Sequence, residues 1–226
     1  FCARNNIKVC NVLGASAKSV AEYCIFAALT ISRRLSKTTD EILLGNYKEL
    51  RGNIIQDRMF SLSGLTLGVI GFGSIGQETA KMFSALGCQI QYYDPSDPKL
   101  AENISQIAVK NGKEELLRTS DIISIHVPLI DQTKNLISMQ EFSLMKKTSI
   151  LLNASRGGVV DEHALSQAIQ DKKIKGAAID VFTSEPPEKN NPLLNLPDEF
   201  RDNIILTPHI GGITAQSWSE LFSRSW

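Results

Sequence analysis

The sequence holds little that would tie it to a membrane, a metal or a polyanion. Its longest apolar stretch, residues 23–31, is far short of the ~20 residues a membrane-spanning helix needs. No basic segment with a following cleavage site opens it, as a secretory signal would. Its 24 basic and 24 acidic residues cancel, so no overall field draws it to nucleic acid or an anionic bilayer. Four cysteines (Cys2, Cys10, Cys24, Cys88) show no C-x-x-C spacing and no histidine at zinc-ligand distance. They read as small buried hydrophobes in a reducing compartment, with neither metal nor disulfide. Internal repeats and low-complexity segments are missing as well. The expectation is a cytoplasmic globular protein with no nucleic-acid or membrane partner. Because the first residue is Phe1 and not Met, the chain is expected to start partway through a longer product.

What is present is enough apolar material, 42% of 226 residues, for a sizeable core. Residues 7–12 alternate and predict a short strand. From Val20 to about Leu44, apolar residues recur at helical spacing (Val20, Tyr23, Cys24, Ala27, Ala28, Ile31, Leu35), with Ser16 and Ser19 as capping candidates and Gly45 as a stop. The spacing predicts one long helix. Residues 46–63 read as a surface crossing. Strands then follow at 65–70, 88–93, 122–127, 149–153, 176–181 and 203–206, and helices at 74–86, 113–118, 139–146 and 162–170. Such alternation with short links predicts an α/β fold, a doubly wound and mainly parallel sheet with helices on both faces. The stretch 185–197, rich in Pro and Asn, reads as a loop.

"GFGSIG", residues 71–76, sits between the strand at 65–70 and the helix at 74–86. A phosphate-binding loop requires that placement, plus an acidic residue ending the next strand about twenty residues on. Asp94, closing "CQIQYYD", supplies it. Gly71 permits the tight turn, Gly73 lets the backbone approach a diphosphate, and Gly76 lets helix and strand pack closely. The N–H groups around Ser74 and Ile75 meet the anion. A carboxylate at Asp94 accepts ribose hydroxyls and repels a 2′-phosphate, which favours NAD over NADP.

Four further stretches fall where later strands end, the side on which such sheets bind ligands. They are "HVPL" (126–129), "NASRGGVVDEHAL" (153–165), "AAIDVFTSEPP" (177–187) and "LTPHIGG" (206–212). Arg156 follows a strand, and its planar fork suits a carboxylate; taken alone it reads rather as a surface arginine paired with water or a carboxylate. His209 is a proton exchanger near neutrality or an ordinary loop histidine. Glu185 could pair with it and orient its ring. Asp180 ends an apolar strand, poised for a polar cofactor group.

In this order the motifs "TLGVIGFGSIG", "YYDP", "SDIISIHVPL…T", "LLNASRGGVVDEHAL", "DVFTSEP" and "LTPHIGG" closely resemble the D-isomer-specific 2-hydroxyacid dehydrogenases, the family of D-3-phosphoglycerate dehydrogenase and glyoxylate/hydroxypyruvate reductase. The resemblance runs from about Asn11 to Thr214. It implies an NAD-dependent oxidoreductase acting on a small 2-hydroxy or 2-oxo acid. Arg156 would be the substrate anchor, His209 the acid/base and Glu185 its partner. Cofactor contacts would fall on Gly71, Gly73, Ser74, Ile75, Gly76 and Asp94. Val127, Pro128, Thr133 and His209 would also contact the cofactor; Ala154, Ser155 and Arg156 would line the nicotinamide side, Asp180 would face the carboxamide, and Gly211 and Gly212 would sit beside the ring. His126 would support the cofactor wall. Formate dehydrogenases carry Gln where Glu185 stands, so the likeness points to the 2-hydroxyacid branches.

The family's flavodoxin-like substrate domain is represented here by remnants only. The expected division is a substrate-domain remnant at 1–15, the NAD-binding domain at 16–208 and the start of a C-terminal return at 209–226. The resemblance also implies a homodimer formed through the NAD-binding domain. Two accounts of the chain then stand: part of an enzyme, or a short NAD-binding regulatory or partner-binding module. The intact Arg156, Glu185 and His209 favour the first. A short-chain or S-adenosylmethionine-type Rossmann protein would lack the ordered set.

Overall fold

The computed structural model describes residues 1–8, 12, 14–56, 59–96 and 98–225. Helix α1 (Ala17–Arg33) is followed by α2 (Thr38–Leu43) and α3 (Tyr47–Gln56). Then come β1 (Thr66–Ile70), α4 (Ser74–Ala85), β2 (Gln89–Tyr93), α5 (Glu102–Ser105), β3 (Ala108–Lys110) and α6 (Lys113–Thr119). The remainder is β4 (Ile122–Ile125), α7 (Met139–Leu144), β5 (Ile150–Asn153), α8 (Glu162–Gln170), β6 (Gly176–Ile179), β7 (Ile204–Leu206) and α9 (Ala215–Ser225). The strands form one seven-stranded sheet in the order β3-β2-β1-β4-β5-β6-β7, every pair parallel. The chain reverses its direction of travel across the sheet between β1 and β4, the crevice where such folds bind ligands.

Strand alternation divides the core between two faces. Leu67, Val69, Ile122 and Leu152 pack with Val20, Cys24 and Ala28 of α1 and with Ala80 and Phe83 of α4. Ile70, Ile123, Ile125 and Leu151 pack with Leu116 of α6, Phe142 of α7 and Leu165 of α8. Side chains fix the starts of α7 and α8. Asp161 caps α8 by accepting from the N–H groups of His163 and Ala164 at 2.9 and 3.0 Å, and Ser138 with Glu141 forms a capping box on α7.

One expectation needs correction. The long helix is broken: Arg34 turns left-handed (φ 52°, ψ 46°) and its N–H returns to the carbonyls of Thr30 and Ile31, so the periodic stretch is completed by the separate helix α2. Within the surface crossing, residues 47–56 form helix α3, which buries no residue. The short elements α5 and β3 and the helix α9 add to those that the spacing predicts. Of the strand expected at 7–12, residues 9–11 lie outside the described residues, as does Cys10. Cys24 and Cys88 are buried free thiols, and Cys2 is partly exposed. Among the described residues no helix is long and apolar enough to cross a membrane.

Candidate active site at the carboxyl edge of the sheet

Pairing register brings six strand ends into one row. Ile70 pairs with Tyr93 and Ile125, Ile125 with Asn153, Asn153 with Ile179, and Ile179 with Leu206. The residues one step beyond are Asp94, Gly71, His126, Ala154, Asp180 and Thr207. Segments far apart in sequence therefore deliver their functional groups to a single edge.

At the centre of that edge the chain turns through Gly71 (φ +88°), where a Cβ would stand 2.6 Å from the His126 carbonyl oxygen and 2.7 Å from Val127 Cγ1. A Cβ on Gly76 would collide with the Gly71 carbonyl. Both positions exclude side chains for internal reasons. Gly73 differs, since a Cβ there would meet nothing within 4 Å. It is the N-cap of α4, and no side chain caps that helix. The first-turn N–H groups, with Ser74 and Ile75 leading, are thus left for an outside acceptor, with the positive end of the helix dipole behind them. An uncapped twelve-residue helix opening on free space fits the diphosphate of a dinucleotide.

Asp94 flanks this loop. Its Oδ2 accepts the Phe72 N–H at 2.8 Å, and its Oδ1 accepts the Ser96 N–H and hydroxyl at 2.9 and 2.6 Å. Burial pushes this carboxyl upward, but the Ser96 hydroxyl, the Phe72 and Ser96 N–H groups and Lys110 outweigh it and hold it below the ordinary carboxylate range. The carboxylate is thus ionised and locked beside the glycine loop, with lone pairs left to accept ribose hydroxyls.

The second cluster gathers around β5, β6 and β7. Asn153 ends β5 and brackets the next turn: its Oδ1 accepts the Ser155 N–H and hydroxyl at 3.1 and 2.7 Å, and its amide donates to the Arg156 carbonyl at 3.3 Å. Ser155 is buried, Ala154 packs on the α1 side, and Arg156 projects outward. Glu185 Oε1 accepts the Phe182 N–H at 3.1 Å, and Oε2 lies 2.8 Å from His209 Nδ1. The hydrogen bond to His209, seconded by the Phe182 N–H and by the charges of His209 and Arg156, holds Glu185 below the usual carboxylate range against a small opposing effect of burial. An ionised carboxylate only accepts, so Nδ1 carries the hydrogen and Nε2 is the ring nitrogen available for proton exchange. Glu185 and His209 are thus in direct contact, and the charge of Arg156 acts on Glu185.

His209 itself is left-handed (φ 57°), a conformation costing an L-residue roughly 1–2 kcal/mol. Asp180 holds it there. The Asp180 carbonyl accepts the His209 N–H at 2.8 Å. Its buried carboxylate accepts the Thr207 hydroxyl at 2.6 Å and the N–H groups of Ile210 and Gly211 at 2.9 and 2.7 Å. Gly212 follows, its carbonyl accepting the Ser217 hydroxyl at 2.7 Å. Asp180 is therefore committed first to the turn 207–211, with one lone pair of Oδ2 left over. A largely apolar cavity of about 430 Å³ adjoins the histidine–glutamate pair, lined by Phe182, Pro186, Pro187, Leu206, Thr207 and Pro208.

His126 turns inward. Its Nε2 lies 2.8 Å from Ser124 Oγ, which reaches Cys24 Sγ at 3.6 Å, and its Nδ1 is buried with no partner among the described residues. Burial pushes the imidazole down to about 4, so it is neutral and structural. Val127 packs beneath Gly71, while Thr133 donates to the Pro128 carbonyl at 2.6 Å and accepts the Ile130 N–H at 2.9 Å, closing the loop beside it. Asn153 and Thr207 escaped the sequence reading. A polar residue ending the apolar run "ILLN" was the available signal for the first; nothing local marked the second.

Residues 25–211 match the family model described as D-isomer specific 2-hydroxyacid dehydrogenase, NAD binding domain. The chain is 40% identical over 211 residues to D-3-phosphoglycerate dehydrogenase of Methanocaldococcus jannaschii, an alignment covering 93% of this chain and 38% of that protein. It is 39% identical over 215 residues to hydroxypyruvate reductase of Thermotoga maritima, covering 93% and 65%. The chain thus spans between about a third and two thirds of these relatives' own lengths. Its fold superposes on D-lactate dehydrogenase from Aquifex aeolicus, complexed with NAD and lactic acid, with a TM-score of 0.85 and 33% identity over 99% of this chain and 68% of that one.

Proposed function

The chain belongs to the D-isomer-specific 2-hydroxyacid dehydrogenase family through its NAD-binding domain, and from that premise we propose that it serves an oxidoreductase acting between a D-2-hydroxy acid and its 2-oxo acid. The observation that carries this reading is the 2.8 Å pairing of His209 with Glu185, with Arg156 close enough to lower the Glu185 carboxyl. NAD, when bound, supplies or accepts the hydride. In the reductive direction His209, once Nε2 has taken up a proton from solvent, delivers it to the substrate oxygen and returns to the Nδ1–H form, while Glu185 holds the ring through Nδ1. Arg156 binds the substrate carboxylate and offsets the negative charge developing on the reacting oxygen. In the oxidative direction His209 takes the hydroxyl proton instead.

Gly73 leaves room for a diphosphate on the Ser74 and Ile75 N–H groups, and Asp94 receives the adenosine ribose. Val127, Pro128, Thr133, Ala154 and Ser155 form the wall towards the nicotinamide. Asp180, Gly211 and Gly212 lie beside its carboxamide. The division at residues 15 and 208 is proposed on the same grounds, the flanking pieces belonging with a substrate domain. Two copies pair through α1–α3, because α2 and α3 bury no residue of their own and leave Leu43, Leu44 and Ile55 exposed by 79%, 73% and 61%.

Titration of the folded chain with NADH and NADPH, followed by fluorescence, tests the reading. Tighter binding of NADH is expected, with the preference lost in Asp94→Ala. No uptake of either, or equal affinity for both in the unmodified chain, overturns it.

A further inference from the structure

The geometry points to Tyr23 and Thr207 as positioning residues that act through Asp180 to hold the His209 imidazole against Glu185. The inference rests on the proposed role of that histidine–glutamate pair. Thr207 Oγ1 lies 2.6 Å from Asp180 Oδ1 and 2.7 Å from the Tyr23 hydroxyl. A hydroxyl has one hydrogen. The Thr207 hydroxyl donates its hydrogen to Asp180 Oδ1, so Tyr23 must donate to Thr207. Burial, with Asp180 and Cys24 adding to it, pushes the Tyr23 phenol up against a smaller opposing effect of the Thr207 contact, so the phenol keeps its hydrogen across the working pH range.

The relay runs in one direction: Tyr23 to Thr207 to Asp180. Asp180 in turn receives the N–H groups of Ile210 and Gly211 on its carboxylate, and that of His209 on its carbonyl. These bonds tie the carboxylate to both ends of the turn, while His209 in the middle is held left-handed. Tyr23 belongs to α1, which packs across β5, β6 and β7, and its ring also rests against Gly211, where a Cβ would meet it at 3.3 Å. A helix on the sheet's face thereby fixes the rotamer of a hydroxyl at its edge, and that hydroxyl fixes the carboxylate that sets the imidazole. Without the phenolic donor, Thr207 Oγ1 is free to turn from Asp180, and the turn loses its outer brace.

The chain has three histidines, so ring-nitrogen NMR on ¹⁵N-histidine-labelled protein resolves His209, assigned by loss of its signals in His209→Gln. At pH 8, where an ordinary imidazole is neutral, the shifts report which nitrogen carries the hydrogen. The unmodified chain is expected in the Nδ1–H form. Tyr23→Phe and Thr207→Val move it towards the Nε2–H form and speed amide exchange at Ile210 and Gly211 about 10-fold, the scale of one hydrogen bond. Thr207→Ser, which keeps the hydroxyl, retains both signatures. Glu185→Gln separates the two claims. If Glu185→Gln alters the His209 ring shifts while Tyr23→Phe and Thr207→Val leave ring shifts and exchange unchanged, the pair stands and the brace is refuted. If Glu185→Gln has no effect, the pair itself is refuted and the brace with it.

Discussion

Asp94, Glu185 and His126 show how different surroundings set the charge of single side chains along one edge. Asp94 and Glu185 are kept ionised by hydrogen bonds, the one by Ser96 and Phe72, the other by His209 and Phe182. His126 is kept neutral by burial. Each state has a sign in stability. The folded-state value of Glu185 lies below its ordinary 4.5, so its contribution is present above that pH and is lost as pH falls through the folded value. Denaturation midpoints of the unmodified chain and Glu185→Gln should accordingly separate above pH 4.5 and converge in acid. The pair is solvent-exposed, so the separation is small. His126 falls from 6.5 when unfolded to about 4 when folded. Between these values the unfolded chain binds the extra proton, and stability drops with acidification by up to about 1.4 kcal/mol per pH unit. Urea melts between pH 6.5 and 4 should show that slope reduced in His126→Asn. At His209, replacement by Gln in a catalytically active preparation should lower turnover by about 10²–10⁴, with NADH affinity nearly unchanged.

At the scale of elements, some helix starts are sealed by side chains and others are left open. Asp161 seals α8, and Asp161→Ala should cost about 1 kcal/mol, lowering the melting temperature by about 2–4 °C for a domain this large; calorimetry checks it. Helix α4 begins at Gly73 with no capping side chain, which costs stability but leaves donors for an anion. The strand–helix alternation was legible in the sequence because the apolar runs and the Gly, Asp and Ser breaks that encode it are local. Where the reading failed, packing had overridden periodicity. The long helix ends at Arg33 although its apolar pattern continues to Leu35, because the left-handed Arg34 turns the chain away. Strand β3 has only three residues, one of them half-buried, and exists through its register with β2.

For the whole molecule, openness is the controlling property. The His209 and Glu185 side chains are 47% and 40% exposed, so water reaches the groups assigned to proton transfer. Exclusion of water strengthens such interactions. Residues 1–226 should therefore bind NADH while turning over glyoxylate or hydroxypyruvate poorly; turnover near that of longer family members would contradict this. Exposed Leu43 and Leu44 predict a dimer by light scattering, and Leu43→Lys with Leu44→Lys should yield monomers that still bind NADH.

The sequence by itself determined the α/β class, the placing of the glycine loop between strand and helix and the acid at the end of the second strand. Each depends on residue type and short-range spacing, which are written along the chain. Tertiary structure decided the rest. It set which strand ends share an edge, that Asp180 turns inward to hold the histidine turn, and that Tyr23 meets Thr207 across 184 positions. Such contacts follow from how helix α1 lies across the sheet, and no local pattern specifies that packing.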